Sequence, residues 1–233
     1  MLRILLIRLR EIGDVVFTTP AIRALRRRFP DARISYVVEP HAAPVVFQNP
    51  HLDHVIVAPR LRGLRGAVAD LRLGRALRAQ RFDITIDFHG GPRAALLALL
   101  SGAPRRIGYD IAGRPFVYTE RVGRPRTLRA RHSVENQWDL LAPLEIAAPN
   151  RTHDPVEMPV DPVAAGDVNR RLETAGATGG SQVVVLHVLD DDRRGLVEFR
   201  DDSCRRVEIE QIRERQLFPL EDQRVEPRPC TRN

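Results

Sequence analysis

The chain contains no lysine, because all 37 of its basic residues are arginines. This absence excludes a lysine nucleophile and the lysine of a phosphate-binding P-loop. Cysteine is scarce as well: Cys204 and Cys230 both lie in the last thirty residues, so the body of the protein is built without disulfides. Arginines also interrupt the first apolar segment long before it reaches the roughly 20 residues of a membrane span. These absences predict a cytoplasmic globular protein.

What the chain does contain is 43% hydrophobic residues and a net charge of +7 over 233 residues. This hydrophobic content is enough for one large or two small domains with a true core. Arginine binds phosphate and carboxylate groups through two parallel hydrogen bonds, so the charge favours an acidic ligand or an anionic surface. Aromatic residues make up only 5% of the chain and do not alternate with the basic ones, which argues against a nucleic-acid partner.

Short aliphatic runs alternate with helical patterns along the chain. The runs predict strands at Ile4–Leu9, Ile34–Val38, His54–Val57, Ile84–Phe88, Arg106–Tyr109 and Val183–Val188. Apolar residues at three- and four-residue spacing predict helices at Pro20–Phe29, Gly66–Ala79, Arg93–Leu100, Ser133–Leu141 and Val163–Thr174. The alternation predicts an α/β fold, a Rossmann-like parallel sheet with helices on both faces.

Two changes in composition divide the chain. Residues 147–162 are rich in Pro, Asp and Asn, which predicts a linker between a domain at 1–146 and the start of a second domain at 163–188. Residues 1–188 carry a net charge of +9, whereas the last 45 residues hold 12 acidic residues and 10 arginines. Such a tail cannot form the apolar strands of a buried sheet. We therefore expect 189–233 to be disordered, or to be the product of a shifted reading frame that left the C-terminal half incomplete.

The first strand-to-helix connection carries an aspartate, Asp14, directly after Gly13. Ligands of open parallel sheets bind outside the carboxyl ends of the strands, so Asp14 is expected where a substrate arrives. A second interpretation stays open, in which Asp14 only caps the helix that follows.

Two later segments carry further candidates. The loop after the fourth strand contains His89 and Gly90, followed by Arg93, which either binds a phosphate or carboxylate or is a solvated residue of the first helical turn. His132 and Asn136 lie one helical turn apart and either point into a binding cleft or form a structural pair. No cluster of His, Cys, Asp and Glu with the spacing of a metal site is present, so no metal is predicted.

A series of short motifs follows one order along residues 2–146, and more weakly to Val188. They are Ile7-Arg8-Leu9, Gly13-Asp14-Val15-Val16, Thr18 to Leu25, Phe29-Pro30-Asp31-Ala32, Asn49 to Asp53, Asp87 to Arg93, Ser101-Gly102-Ala103, Ile107-Gly108-Tyr109 and His132 to Asn136. In these motifs the chain resembles glycosyltransferase family 9, the heptosyltransferases of lipopolysaccharide core assembly. That family is similar to other two-domain glycosyltransferases, in which one Rossmann-like half holds the acceptor and the other holds the nucleotide-sugar donor.

The resemblance implies an inverting transfer of a heptose from a nucleotide-sugar donor, ADP-heptose, to an acidic glycolipid or oligosaccharide of the lipopolysaccharide-core type, without a metal or other cofactor. Asp14 is the implied general base, since a sugar hydroxyl that attacks an anomeric carbon must lose its proton. Gly13 is expected to let the backbone approach the acceptor, because glycine tolerates unusual dihedral angles. The substrate-binding residues of this interpretation are Arg10, Gly13, Thr18, His89, Gly90, Arg93 and His132.

Other features limit or extend that interpretation. Arg10 and Glu11 stand where many relatives have small polar residues, so the identity of the acceptor is not carried over. The arginines from Arg60 to Arg78 either contact an anionic membrane surface, at the inner face of the inner membrane, or form a solvated helix face. Three consecutive aspartates follow Leu189, where a phosphate loop of the donor half is expected, and carboxylates repel a pyrophosphate. The alternative function is therefore a catalytically inactive, truncated acceptor-binding domain.

Overall fold

The computed structural model describes residues 1–111, 116–123, 132–150, 152–174 and 176, together with the backbone of 199–200 and 206–207. The chain divides into two compact units, Met1–Asp161 and Pro162–Asn233. Strands of the first unit are β1 (Arg3–Ile7), β2 (Arg33–Val38), β3 (His54–Val57), β4 (Ile84–Asp87), β5 (Arg105–Asp110) and β6 (Glu120–Gly123). Its helices are α1 (Ile12–Val16), α2 (Thr19–Arg28), α3 (Gly63–Ala79), α4 (Pro92–Ser101) and α5 (Ser133–Trp138), with 3₁₀ turns at Ala43–Val45 and Asp139–Leu144.

The six strands form one parallel sheet in the order β3-β2-β1-β4-β5-β6. This is the strand order of the Rossmann fold, in which the chain reverses its direction of travel across the sheet between β1 and β4. β1 lies at the centre, where Ile7 pairs with Val37 on one side and with Asp87 on the other. The prediction of an α/β fold with a parallel sheet is confirmed.

Successive side chains of the central strands point to opposite faces of the sheet and pack in two separate hydrophobic cores, one on each face. Ile4 and Leu6 of β1 pack in a cluster with side chains of α2 and α5, including the buried Trp138. Leu5 and Ile7 pack in the other cluster, with Leu77 of α3 and the small and leucine side chains of α4. Because both faces are covered by helices, the strands have to be apolar on both sides, which is why they read as continuous apolar runs.

The segment predicted as a linker lies along α2. Arg27 forms an ion pair with Asp154 at 2.5 Å, and the backbone N–H of Glu157 donates to the hydroxyl of Thr19 at 2.8 Å. Arg23 approaches Glu157 at 3.2 Å. The compact unit ends after Asp161, so this segment is part of the first unit. The assignment of acceptor-side and donor-side domains stays a prediction.

The second unit contains α6 (Pro162–Thr174) and two short antiparallel strands, β7 (Phe199–Arg200) and β8 (Arg206–Val207). The strand predicted at Val183–Val188 lies outside the described residues, and so does the tail at 189–233 apart from β7 and β8. No helix in the described part of the chain is both long and apolar enough to cross a membrane.

Two local features differ from the sequence prediction. The first helix was predicted to begin at Pro20, but α1 already runs through Gly13 and Asp14 after the chain turns at Glu11, whose φ is 62°. No aliphatic run predicts β6, whose four residues alternate between half-buried and exposed.

Candidate active site

The loops that leave β1 and β4 lie side by side at the carboxyl edge of the sheet. The two strands are neighbours in the sheet, and the strand order reverses between them. In open α/β sheets this reversal opens a crevice in which ligands bind. Residues 8–14 follow β1 and residues 88–91 follow β4, so the candidate site, called the crevice here, is the edge between these two loops.

Asp14 lies in α1 on the first of these loops, and its carboxylate is held by Arg8. The Arg8 guanidinium donates one hydrogen bond to Oδ2 of Asp14 and another, of 2.6 Å, to the backbone carbonyl of Phe88. The Arg8 side chain is 12% exposed, whereas that of Asp14 is 35% exposed. Among the described residues, none donates a hydrogen bond to Oδ1 of Asp14. Arg8 therefore ties the two loops together and fixes a carboxylate that keeps one oxygen free.

The expectation that Asp14 caps a helix is not met. Glu11 is the N-cap residue of α1 and Thr18 that of α2, and neither helix start receives a side-chain cap hydrogen bond. Asp14 lies inside α1, in its first turn, where a negative charge still suits the helix dipole. Gly13 has no left-handed φ, which belongs to Glu11 instead. A Cβ on Gly13 would meet none of the described residues within 4 Å, and the close approach of its backbone to an acceptor stays a prediction.

The loop after β4 is organised by a buried carboxylate. Oδ1 of Asp87 accepts hydrogen bonds from the backbone N–H groups of His89 at 2.8 Å and Gly90 at 2.9 Å, and Oδ2 accepts from the Tyr118 hydroxyl at 2.6 Å. Burial raises the pKa of Asp87, and the hydrogen bonds oppose that rise. Gly90 has a φ of 69°, a backbone conformation that glycine adopts without strain. Asp87 thus fixes the position of His89 beside β1.

His89 is a half-buried histidine in a cationic setting. Burial, followed by the positive charges of Arg8, Arg10 and Arg93, lowers its pKa to about 4, although Asp14 acts in the opposite direction. Its Nδ1 atom is buried and has no hydrogen-bond partner among the described residues. Near neutral pH the imidazole is therefore uncharged.

This histidine predicts a loss of stability in mild acid. The unfolded chain protonates His89 near pH 6.5 and the folded chain only near pH 4, so the unfolded state binds the proton more readily between these values. The free energy of unfolding should fall as the pH drops from 6.5 to 4. His89→Gln should remove that contribution, which corresponds to at most about one proton taken up on unfolding.

Urea unfolding followed by the fluorescence of Trp138, which is buried and is the chain's single tryptophan, measures this slope at several pH values. His41→Gln, a change at an exposed histidine, is the matched control. A His89→Gln variant with the same pH slope as the wild type would contradict the assignment.

Arg93 is engaged in an ion-pair network. It donates to both carboxylate oxygens of Asp70 at 2.7–3.0 Å, to Glu39 at 2.6 Å and to the backbone carbonyl of Pro59 at 2.7 Å. Glu39 is buried and also lies 3.6 Å from Arg60. The interpretation of Arg93 as a solvated residue is therefore wrong. A ligand anion would have to compete with two carboxylates for its guanidinium.

Thr18 and His132 both contact residues at the C-terminal end of α1. Thr18 is fully buried, and its hydroxyl contacts the carbonyl of Val15 at 2.7 Å and the hydroxyl of Tyr36 at 2.8 Å, so this side chain has no surface to offer a substrate. His132 is the N-cap residue of α5, where its Nδ1 accepts from the N–H of Val134 at 3.3 Å. Its ring meets that of Phe17 edge-on, with centroids 5.1 Å apart.

The structure therefore brings Asp14, Arg10, His89 and Gly90 to the crevice and places Thr18 beneath it. Arg10 is exposed, and no carboxylate pairs with it in the described part of the chain. Sequence reasoning missed Arg8, Asp87 and Tyr118. Arg8 and Asp87 belong to motifs that were noted, but nothing in the sequence indicates their partners. No group of three or more His, Cys, Asp or Glu side chains among the described residues is arranged to hold a metal ion.

Comparison with known proteins shows which proteins this chain is similar to. Residues 70–180 match the model of glycosyltransferase family 9 (heptosyltransferase). The chain is 24% identical over 181 residues to lipopolysaccharide heptosyltransferase 3 of Escherichia coli, and this aligned region covers 76% of this chain and 52% of that protein. It is 26% identical over 108 residues to lipopolysaccharide heptosyltransferase 2 of E. coli K12, covering 46% and 31%. The chain thus spans about half or less of the length of these curated relatives.

Solved structures give the same picture. The crystal structure of a family 9 glycosyl transferase from Veillonella parvula superposes with a TM-score of 0.68 at 25% identity, covering 76% of this chain and 50% of that one. An E. coli heptosyltransferase solved with ADP-2-deoxy-2-fluoro heptose superposes with a TM-score of 0.54 at 22% identity, covering 64% and 50%. At this identity the second likeness shows the fold alone.

Proposed function

We propose that this chain, which carries a domain of glycosyltransferase family 9, takes part in sugar transfer of the lipopolysaccharide heptosyltransferase type. In this proposal the first unit holds an acidic acceptor of the lipopolysaccharide-core type in the crevice between β1 and β4. Asp14 acts as the general base, a heptose arrives on a nucleotide-sugar donor, and the anomeric centre inverts. No metal or other cofactor takes part.

The observation that carries the proposal is the free Oδ1 of Asp14 at the crevice. A hydroxyl that attacks an anomeric carbon becomes acidic as the new bond forms, and a carboxylate oxygen within hydrogen-bond reach takes the proton. Arg8 holds the other oxygen and so limits the rotation of the carboxylate. A carboxylate that is already held in position loses less conformational entropy when the acceptor binds, and this raises the rate of proton transfer.

The charge around Asp14 suits an acidic acceptor. Arg10 is exposed beside the crevice, whereas Arg8 and Arg93 are held by carboxylates. The neutral His89 has one ring nitrogen, Nε2, with which to bind a sugar hydroxyl, since its Nδ1 is buried. We therefore assign anion binding to Arg10 and hydroxyl binding to His89. Arg93, an expected ligand of the acceptor, acts in this proposal by fixing the start of α4.

The donor is proposed from the relatives. An E. coli heptosyltransferase of the same fold was solved with ADP, and another structure of it holds ADP-2-deoxy-2-fluoro heptose. ADP-heptose is accordingly the donor to test first. A chain that binds the acceptor but no donor would fit the alternative function, a catalytically inactive acceptor-binding domain.

The test uses the full chain with ADP-heptose and a lipopolysaccharide core that lacks its heptoses. Calorimetry measures the binding of each compound alone, mass spectrometry measures transfer, and NMR of the product gives the anomeric configuration. Transfer with inversion supports the proposal. Acceptor binding without donor binding or transfer supports the alternative function, and failure to bind either compound overturns both.

A further inference from the structure

A cleft lies at the amino edge of the sheet, the edge opposite the candidate active site. Its volume is about 320 Å³, which is within the range of small-molecule sites. Three basic side chains line it: Arg3 at the start of β1, Arg33 at the start of β2 and His54 at the start of β3. These three strands are neighbours and run in the same direction, so their first residues meet at one edge.

The two arginines of the cleft stand side by side. Arg3 pairs with Arg33 in the register of β1 and β2, so their backbones are separated by the strand spacing of about 4.8 Å. Nη1 of Arg3 donates to the backbone carbonyl of Gln80 at 2.6 Å. Nη2 of Arg33 donates to Nε2 of His54 at 2.5 Å. Because a guanidinium has five N–H donors, both arginines keep donors for a ligand.

The positive charge of this cleft is not neutralised within the described part of the chain. Two aspartates lie near it in the sequence, and both are engaged in other hydrogen bonds. Oδ2 of Asp53 accepts from the guanidinium of Arg26 at 2.7 Å, and Oδ2 of Asp83 accepts from the backbone N–H of Arg3 at 2.7 Å. No carboxylate among the described residues forms an ion pair with the guanidinium of Arg3 or of Arg33. The cleft therefore suits an anion.

Apolar side chains form the rest of the cleft wall. Val55 and Ile56 of β3 line it, and so does Phe82, which precedes β4. Phe82 is buried in the hydrophobic core beneath α3 and α4, and Ile56 packs against the same core. This wall is held in place by the core and can contact the carbon skeleton of a ligand. The lining thus combines a cationic side and an apolar side.

We propose that the amino-edge cleft binds the phosphate group of a small organic molecule. The residues that form this site are Arg3, Arg33, His54, Val55, Ile56 and Phe82. A phosphate group carries a charge of about −1.5 to −2 near neutral pH and three acceptor oxygens, enough for both guanidinium groups. The organic part would lie on the apolar wall. This second ligand site lies at the opposite edge of the sheet from Asp14, so the inference goes beyond the proposed function.

The experiment is calorimetry of the full chain at constant ionic strength with three probes: phenyl phosphate, inorganic phosphate and phenol. Phenyl phosphate should bind roughly tenfold more tightly than inorganic phosphate, because its ring buries apolar surface against the wall. Phenol should not bind measurably, since it lacks the negative charge. Arg33→Gln should weaken the binding of both phosphate probes roughly tenfold, because charge-assisted hydrogen bonds are lost.

Two other arginine variants serve as matched controls. Arg72 is exposed on α3 and does not line the cleft, and Arg10 is exposed at the crevice. Arg72→Gln and Arg10→Gln remove the same charge as Arg33→Gln, and each should bind phenyl phosphate with the wild-type affinity. Urea unfolding of every variant, followed by Trp138 fluorescence, checks that it folds.

Three results would overturn the inference. If phenyl phosphate does not bind the wild-type chain, the cleft is not a phosphate site. If Arg33→Gln and Arg72→Gln weaken binding equally, the anion is attracted to the basic surface in general. If Arg10→Gln abolishes binding and Arg33→Gln leaves it unchanged, the phosphate binds at the crevice. The probes contain no sugar, so failure here is distinguishable from failure of the transfer assay.

Discussion

Asp14→Asn is expected to lower the rate of sugar transfer by about 10²- to 10⁴-fold, because the amide cannot take the proton of the attacking hydroxyl. The change keeps the size of the side chain, and the amide NH2 group that replaces Oδ1 can still form a hydrogen bond with the acceptor hydroxyl, so the affinity for the acceptor should change by less than about threefold. Arg8 can still donate to the amide oxygen, which keeps the loops after β1 and β4 tied together. The measurement is the initial rate of transfer at saturating acceptor, with binding followed in parallel by calorimetry.

Asp31→Asn is the matched control for this result. Asp31 is exposed and lies before β2, at the amino edge of the sheet and away from the crevice. The same loss of one carboxylate there should leave the transfer rate unchanged. If Asp14→Asn transferred sugar at the wild-type rate, Asp14 would not be the base. If it lost acceptor affinity and transfer rate in parallel, Asp14 would bind the acceptor without taking its proton.

The sheet could be predicted because its central strands are covered on both faces. β1, β2 and β4 are almost entirely buried and read as apolar runs, and the helices between them follow a regular period. β6 could not be predicted, since its four residues Glu120–Gly123 contain a single aliphatic side chain and, among the described strands, it pairs with β5 alone. The start of the turn after β1 was missed because Glu11 adopts a positive φ, which a non-glycine residue rarely does.

The candidate site was predictable in position but not in its contacts. Asp14 follows the first strand, and the topology alone places it at the carboxyl edge. Its ion pair with Arg8 depends on the backbone conformation of the loop between the two residues. The ion pairs of Arg93 depend on Asp70 and Glu39, which lie 23 and 54 residues away in the sequence. A sequence shows which charges are present, whereas only the fold shows which are already neutralised by a partner.

Gly108→Ala is expected to destabilise the first unit by about 2–3 kcal/mol, because the added methyl group overpacks a rigid contact. Gly108 lies in β5 under the ring of Tyr118, and a Cβ there would come within 2.4–2.6 Å of three ring atoms. The ring cannot move aside freely, since it is buried and its hydroxyl is bonded to Asp87 at 2.6 Å. Movement of the ring would break that hydrogen bond and leave a buried carboxylate oxygen without its donor, which adds to the cost.

Gly123→Ala is the matched control, because Gly123 lies on the neighbouring strand β6 and a Cβ there would meet nothing within 4 Å. That change should be neutral or stabilise the fold by up to about 1 kcal/mol, since alanine restricts the unfolded chain more than glycine does. Urea unfolding followed by the fluorescence of the buried Trp138 measures both variants in the same unit. Equal stability of the Gly108 and Gly123 variants would show that the Tyr118 ring yields without cost, and Asp87 would then not depend on it to hold the loop of His89.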